Sequence, residues 1–317
     1  MFCNIYFGNI ERYLLKDVFD KESSHVIRGS SSSADCNVVL IQSKQDLHLF
    51  VRIVDDFLLI STSKETSIRF LNKLNKGIPK LGVKINSDKS RVNYPILLGD
   101  IVTDDNKQVT RVNNDMFPWC GLLINTKTCE ISLDYSRFSG LQATDTVVIH
   151  RGANEGMNLK KKMKDFVRPR CNQKLLFSSQ INGIDMIRLN FYQTFVLCAM
   201  KLLHYLNGSG VSLSGHEHFI YNSACDTIHY AFLLISSKLK RGSVQTVSST
   251  NTNIDSFEFQ LEWKDALWLG RHAFSSVFGR RGKQKYAKLC KLFLDERVSN
   301  RKDLLAVTRQ ALKMWSV

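Results

Sequence analysis

The eight cysteines, Cys3, Cys36, Cys120, Cys129, Cys171, Cys198, Cys225 and Cys290, form no Cys-x-x-Cys pair and have no histidine partner at zinc spacing. A structural zinc site or a disulfide framework is therefore not expected, and the thiols read as reduced, packed side chains of an intracellular protein. His216-Glu-His218, the nearest approach to a ligand cluster, reads as a solvated loop. No glycine-rich phosphate loop and no internal repeat is found. No apolar run reaches the roughly 18 residues that a membrane span needs, and no signal peptide is expected before the first strand. Zinc hydrolases, P-loop enzymes, solenoids and helical membrane proteins are thereby set aside.

What the sequence does have is positive charge, unevenly placed. The 317 residues carry 44 Lys+Arg against 29 Asp+Glu, a net +15. Residues 1–150 hold 18 basic and 17 acidic side chains, residues 151–317 hold 26 and 12. Nearly all the excess lies in the second half, which points to a phosphate-tracking surface there and a separate acidic centre in the first. The length suffices for a sizeable core and two domains.

The acidic centre is sought in Leu47-His-Leu-Phe-Val-Arg-Ile-Val-Asp55-Asp56-Phe-Leu-Leu-Ile-Ser61, which reads as strand, two-residue turn and strand, with the two aspartates as the turn. Two adjacent carboxylates repel each other and are poor turn chemistry, since such turns favour Asn-Gly or Gly-Gly. A local rule broken inside so apolar a frame points to function. Paired carboxylates at a rigid strand tip suit Mg²⁺, and two such ions about 4 Å apart serve phosphoryl or nucleotidyl transfer. The competing structural account is a solvated acidic turn.

Around this stretch, Phe2, Ile5, Tyr6, Ile10, Tyr13 and Leu14 fall at helical spacing, and the chain is expected to open inside an amphipathic helix, its natural beginning lying upstream. His25 to Asn37 is expected to be a polar surface loop. Thr62-x-x-Glu65 predicts a capping box for a helix with Ile68, Leu71 and Leu74 on one face, stopped by Gly77 and Pro79. Gly82 to Tyr94 reads as strand, turn and strand. After a polar segment from Gly99 to Asn114, Met116 to Asn125 and Cys129 to Tyr135 read as two strands, with Gly121 permitting close backbone approach and Trp119 as an apolar anchor. This layout predicts an α+β palm, an antiparallel sheet with helices on one face. The second half predicts an all-α bundle, with helices over Ile184–Leu206, Phe219–Leu239, Phe257–Phe278, Ala287–Leu294 and Arg301–Trp315, and flexible loops at Asn207–Gly215 and Gly242–Asn253. Basic clusters stand at Lys160, Lys161, Lys162, Lys164, Arg168 and Arg170, and at Arg280, Arg281, Lys283 and Lys285. They are candidates for backbone contact with a nucleic-acid duplex, or else solvated faces or a nuclear-import signal.

Ile53-Val-Asp-Asp-Phe-Leu-Leu-Ile, Gly82-Val-Lys-Ile-Asn-Ser-Asp-Lys-Ser-Arg-Val-Asn-Tyr and Phe117-Pro-Trp-Cys-Gly-Leu-Leu-Ile resemble, in order and spacing, reverse-transcriptase motifs C, D and E. Ile53 two places before the aspartates, with Phe-Pro-Trp-Cys-Gly later, favours the telomerase reverse transcriptase branch. The opening Phe2-Cys-Asn-Ile-Tyr-Phe-Gly-Asn-Ile-Glu-Arg-Tyr-Leu-Leu resembles the helix after motif B′. Arg170-Cys-Asn-Gln-Lys, Gln180-Ile-Asn-Gly-Ile and Ala266-Leu-Trp-Leu-Gly-Arg-His-Ala-Phe resemble the helical thumb extension.

The resemblance implies a partial palm over 1–135, a linker over 136–159 and a helical thumb over 160–317. It implies that Asp55 and Asp56 hold two Mg²⁺ ions, that Lys89 protonates the leaving pyrophosphate, and that Trp119, Cys120 and Gly121 form the primer grip. Implied partners are a telomerase RNA, a telomeric DNA primer in an RNA–DNA duplex, deoxynucleoside triphosphates and other holoenzyme proteins, with no membrane, in the nucleus at chromosome ends. The family's third metal ligand, in motif A, has no counterpart, since Glu11, Asp17, Asp20 and Glu22 lie on or beside the opening helix. The fingers and the Gln-Gly segment of motif B′ are missing too, so the isolated chain is expected to be inactive. A retroelement or maturase-type enzyme sharing the aspartates, and a non-catalytic nucleic-acid binder with structural aspartates, are the alternatives.

Overall fold

The structure, a computed structural model, describes residues 8, 10, 18, 23–30, 36–43, 46–77, 79, 82, 86–95, 109–138, 147–149, 154–210, 215–242, 259–281, 283–294 and 301–314. It is the expected α+β type, with the strands and one helix in the first part and the remaining helices after. The chain divides into two compact units, Met1–Cys120 and Gly121–Val317.

In the first unit, β1 (Ser23–Ser30), β2 (Cys36–Ser43), β3 (Leu47–Ile53) and β4 (Asp56–Ser61) form an antiparallel sheet in that order. Here the expectation of a loop over 25–37 is corrected. Val26 to Ser30 pairs residue by residue with Asn37 to Ile41. Polar character at Ser30 hid a strand whose backbone groups pair with those of β2. Along β3, His48, Phe50 and Arg52 are buried while Leu47, Leu49, Val51 and Ile53 are not, the period-two alternation of a strand with one covered face.

Helix α1 (Lys64–Lys76) covers that face. Phe70 meets the fully buried Phe50 edge-on at 5.7 Å, Phe57 stacks on Phe50 at 5.9 Å, and Leu74, Ile41, Ile10 and Val18 complete the cluster. Burying one such phenyl ring contributes about 2 kcal/mol. Ile10 and Val18 are helical, and the rest of the expected opening helix lies outside the described residues. The cap of α1 is Ser63, one residue after the expected Thr62: its hydroxyl accepts from Thr66 N at 3.3 Å. Thr62 is occupied elsewhere, its hydroxyl accepting from Leu47 N at 3.0 Å and donating to Asp46 Oδ1 at 3.1 Å. Gly77, at φ 67, closes the helix as expected.

Two short strands, β5 (Arg91–Val92) and β6 (Thr110–Arg111), pair in parallel, the second lying within the polar segment Gly99–Asn114. The strand expected at the start of the Gly82–Tyr94 segment lies mostly outside the described residues. The first unit's last strand is β7 (Met116–Trp119).

The second unit opens with a hairpin of β8 (Leu122–Asn125) and β9 (Ile131–Leu133). The run expected as one strand over 116–125 is thus two, separated by Cys120 and Gly121. Both have left-handed backbone, φ 49 and 78, the pair of positive values a type I′ turn needs. Among the described residues five long helices follow: α2 (Glu155–Cys171), α3 (Ile184–Ser209), α4 (Glu217–Gly242), α5 (Trp263–Arg281) and, after the short α6 (Ala287–Phe293), α7 (Lys302–Met314). All of these but α2 are expected from the sequence. Helix α2 had been seen only as a basic cluster, because charge masks the buried stripe Leu159, Met163, Phe166 and Val167. Helix α5 begins at Trp263, six residues after Phe257, since Phe259 to Glu262 is not helical. Helix α3 is buried around nearly its whole circumference and is the axis of the bundle, packing on α2, α5 and α7. At the α4–α5 crossing, a side chain on Gly270 would collide with Ile228, 2.5 Å from where its Cβ would lie.

The matched Ala266 to Phe274 segment is core. Trp268 stacks on His272 at 4.8 Å, and the imidazole Nδ1 lies 3.3 Å from the Tyr192 hydroxyl and 3.4 Å from that of Ser276. Burial, with the Arg280 charge in reach, holds His272 down at about 4. The unfolded chain, near 6.5, then binds a proton that the folded chain refuses, so this site costs nothing above pH 6.5 and costs stability as pH falls through 6.5 toward 4. Between pH 8 and pH 5 the loss at this one site is about 2 kcal/mol. Urea midpoints of the wild type and His272→Gln at the two pH values measure it. The variant's pH dependence is expected to be shallower by that amount, and parallel curves for the two proteins would exclude His272 as the source.

Candidate nucleic-acid and metal site

The acidic tip is shifted by one residue from its expected register. Ile53 pairs with Asp56, so the two-residue turn is Val54-Asp55 and Asp56 opens β4. The broken rule therefore falls on Val54, a β-branched residue at φ 54, which is a strained conformation costing on the order of 1–3 kcal/mol. Arg52 offsets part of that strain. It is 4% exposed, and its guanidinium Nη1 donates to the Val54 carbonyl at 2.9 Å, tying the turn down from beneath the sheet. Sequence reasoning missed Arg52, although an arginine on the inward phase of an alternating strand was a usable signal.

Asp55 and Asp56 are both exposed. The Cys120 thiol donates to Asp56 Oδ2 at 3.1 Å, so two candidate residues 64 positions apart meet within the first unit. The left-handed backbone at Cys120 serves this contact by turning the chain back directly after β7. Beside it, the buried Trp119 Nε1–H has no acceptor among the described residues. Lys89 lies exposed on a 3₁₀ turn, Ser87–Lys89, held by the Asn86 side chain and carbonyl, and no described contact joins it to the aspartates.

Hard divalent cations take oxygen ligands, and Mg²⁺ is commonly held by one or two carboxylates with the remaining positions left to water and phosphate. Asp55 and Asp56 fit such an ion as exposed oxygen donors on consecutive residues. No group of three or more His, Cys, Asp or Glu is assembled among the described residues. His216 precedes α4 and Glu217 begins it, where the Glu217 carboxylate accepts from Gly215 N at 3.0 Å, so that segment is a helix start rather than a loop. Among the described cysteines, Cys171, Cys198 and Cys290 are buried as expected, and burial pushes the Cys171 and Cys198 thiols up to about 12. Cys120 and Cys225 are half-buried and Cys129 is exposed, against the expectation that all are packed.

The first basic cluster proves to be divided. Lys160, Lys164 and Arg168, one turn apart along α2, lie against α4. Lys160 pairs with Asp226 at 3.3 Å and sits 5.4 Å from the Phe219 ring. Lys164 lies 5.4 Å from the Tyr230 ring, and Arg168 Nε donates to the Tyr230 hydroxyl at 2.9 Å. These cations pack on aromatic faces and help join two helices. Lys161 is exposed, Lys162 half-buried, and Arg170 turns back to the Phe166 carbonyl. In the second cluster Arg280 is exposed, and Lys285 donates to Asn207 Oδ1 at 3.2 Å beside Tyr286. The side chains of Arg281 and Lys283 lie outside the described residues.

Sequence reasoning also passed over two buried asparagines. Asn182 Oδ1 accepts from Ile131 N at 2.7 Å while its Nδ2 donates to the Leu175 carbonyl at 2.7 Å. Asn190 Nδ2 donates to the carbonyls of Ile131 and Leu176, each at 2.9 Å. Asn182 lies in the matched Gln180-Ile-Asn-Gly-Ile motif. Asn190 was hidden in an otherwise apolar helix.

No family model matches the chain. Similarity to individual curated proteins is extensive. The chain is 27% identical over 293 residues to telomerase reverse transcriptase of Arabidopsis thaliana, covering 89% of this chain and 24% of that protein. It is 34% identical over 153 residues to telomerase reverse transcriptase of Canis lupus familiaris, covering 48% and 13%. The Oryza sativa subsp. japonica protein of the same name is 27% identical over 281 residues, covering 88% and 20%. The chain thus spans a quarter or less of the length of these relatives. With the aspartate tip and the Trp-Cys-Gly turn adjacent in the fold, and with similarity running through both units, the chain is similar to telomerase reverse transcriptases over most of its length.

Proposed function

We propose that this chain supplies the metal-binding hairpin, the primer grip and the thumb of an RNA-templated DNA polymerase that adds telomere repeats to chromosome 3′ ends in the nucleus. The observation that supports it most is the 3.1 Å contact between Cys120 Sγ and Asp56 Oδ2, which brings the paired carboxylates and the Trp119-Cys120-Gly121 turn to one place. A primer 3′ hydroxyl held at that turn lies beside the two carboxylates, the proximity an in-line displacement needs.

Asp55 and Asp56 would hold Mg²⁺, whose charge lowers the barrier by steadying negative charge on the reacting oxygens. Arg52 and the turn it pins keep the carboxylates in place, and Trp119, Cys120 and Gly121 orient the primer end. Lys89 is the proton donor to departing pyrophosphate, an exposed ammonium on a short turn. Exposed cations of the helical unit, Lys161 and Arg280 among the described ones, face the RNA–DNA duplex by its backbone. Motif A and the fingers are not identified in these residues, so the chain acts as part of a longer catalytic assembly with telomerase RNA and further holoenzyme proteins.

The test uses a DNA primer annealed to RNA and carrying a thiol-reactive group at its 3′ end. Crosslinking is expected at Cys120, in preference to the exposed Cys129 and the half-buried Cys225. Duplex affinity should fall steeply with salt. Crosslinks only at Cys129 or Cys225, or salt-independent binding, would overturn the assignment.

A further inference from the structure

We infer that Asn182 and Asn190 are positioning residues, a buried clamp that sets the backbone of Gly121 at the primer grip without touching nucleic acid; the functional half of this rests on the polymerase assignment. The clamp is continuous and lies wholly within the second unit. Asn182, 2% exposed, and Asn190, 0% exposed, engage both backbone groups of Ile131: the N–H is bound by Asn182 Oδ1 and the carbonyl by Asn190 Nδ2. A strand residue with both main-chain groups taken by side chains from one helix and the turn before it cannot slide in register or swing away. The same two amides fix the carbonyls of Leu175 and Leu176, so one end of the clamp is anchored in the 3₁₀ turn between α2 and α3. Glu130, next to Ile131, adds a third tie, its Oε1 accepting from Gly183 N at 3.0 Å just before α3.

From Ile131 the connection runs through β9 to Asp134, whose N–H donates to the Gly121 carbonyl at 2.9 Å. Leu122 pairs with Leu133 in between, both buried in the core of the helical unit. Gly121 is therefore held by a short hydrogen-bonded ladder whose far end is the two asparagines. An apolar residue at 182 or 190 would fill the helical core, so amide side chains there call for a polar task, and the ladder supplies one.

Two measurements on Asn190→Leu, which keeps the volume and removes the donors, and on Asn182→Ala separate the parts. In hydrogen exchange, amides of residues 122–134 are expected to lose about tenfold protection while those of α4 and α5 keep theirs. In the primer crosslinking assay at saturating duplex, the yield rate at Cys120 is expected to drop about tenfold, with duplex Kd changed less than twofold, because neither asparagine reaches the surface. Unchanged hairpin protection in both variants would overturn the clamp. Lost protection with wild-type crosslinking, or a parallel loss of duplex affinity, would overturn its positioning role. If the wild-type chain never crosslinks at Cys120 while the protection result holds, the polymerase assignment fails and the clamp stands as a purely structural device.

Discussion

Replacing Asp55 and Asp56 together by asparagine, in a complete catalytic subunit carrying this segment, is expected to lower primer extension about a thousandfold or more, with RNA–DNA duplex binding retained. Asparagine preserves the size and hydrogen-bonding reach of each side chain but withdraws the charge that would hold a divalent ion. Both residues sit at an exposed tip, so neither carries core packing and the fold should be undisturbed. Cys120 can still donate to the remaining carbonyl oxygen at position 56, which keeps the hairpin and the Trp119 turn together. Extension at the wild-type rate would leave the aspartates as an acidic turn and favour a non-catalytic binder. Loss of extension accompanied by loss of duplex binding would instead indicate that the tip contacts the duplex. Primer extension and fluorescence anisotropy on the same preparations distinguish these outcomes.

The second large effect concerns stability. Asp265, 4% exposed, lies in the first turn of α5 and receives two arginines: Arg188 Nη2 from α3 at 2.8 Å on one carboxylate oxygen, and Arg301 Nη2 at 2.6 Å on the other. Asp185 and Asp303 add outer contacts to Arg188 and Arg301 at 3.1 and 3.4 Å. One buried carboxylate thus ties together the starts of three helices, where the helix dipole also favours negative charge. Asp265→Ala removes the shared partner and leaves the inner arginine poorly compensated, an expected loss of about 3–5 kcal/mol. Chemical denaturation measures it, and a double-mutant cycle with Arg301→Ala should give a coupling energy above about 1 kcal/mol. A loss below about 1 kcal/mol would mean that solvent replaces the aspartate readily and that α7 docks by its apolar face alone.

Helices α3, α4, α5 and α7 and strands β3 and β4 were legible for a simple reason. In α3 and α5 the apolar positions are dense enough to show helix in any register, and in β3 and β4 nearly continuous apolar residues flank the aspartates. What stayed hidden was whatever depended on backbone pairing or on charge used internally. β1 carries too few apolar residues to announce itself, and its register comes from β2. Lys160, Lys164 and Arg168 look identical in sequence to solvent-facing cations, yet Phe219, Asp226 and Tyr230 claim them from the next helix but one. The one-residue shift at the tip has the same origin: cross-strand pairing of Ile53 with Asp56 decides the register, and turn propensity, which disfavours Val54 at φ 54, is overridden.

By itself the amino-acid order determined the fold class, the place of the paired carboxylates and the kinship that Trp119-Cys120-Gly121 carries, because these rest on local periodicity and on short contiguous motifs. Only the tertiary structure decided that Cys120 meets Asp56, that Arg52 pins the strained turn, and that Asn182 and Asn190 hold Ile131. The first and third are contacts between residues far apart in the chain, and the second is a bond from a strand's inward side chain to the turn beyond it. Such bonds are chosen by which polar groups burial strands without water, and that is settled when the elements pack.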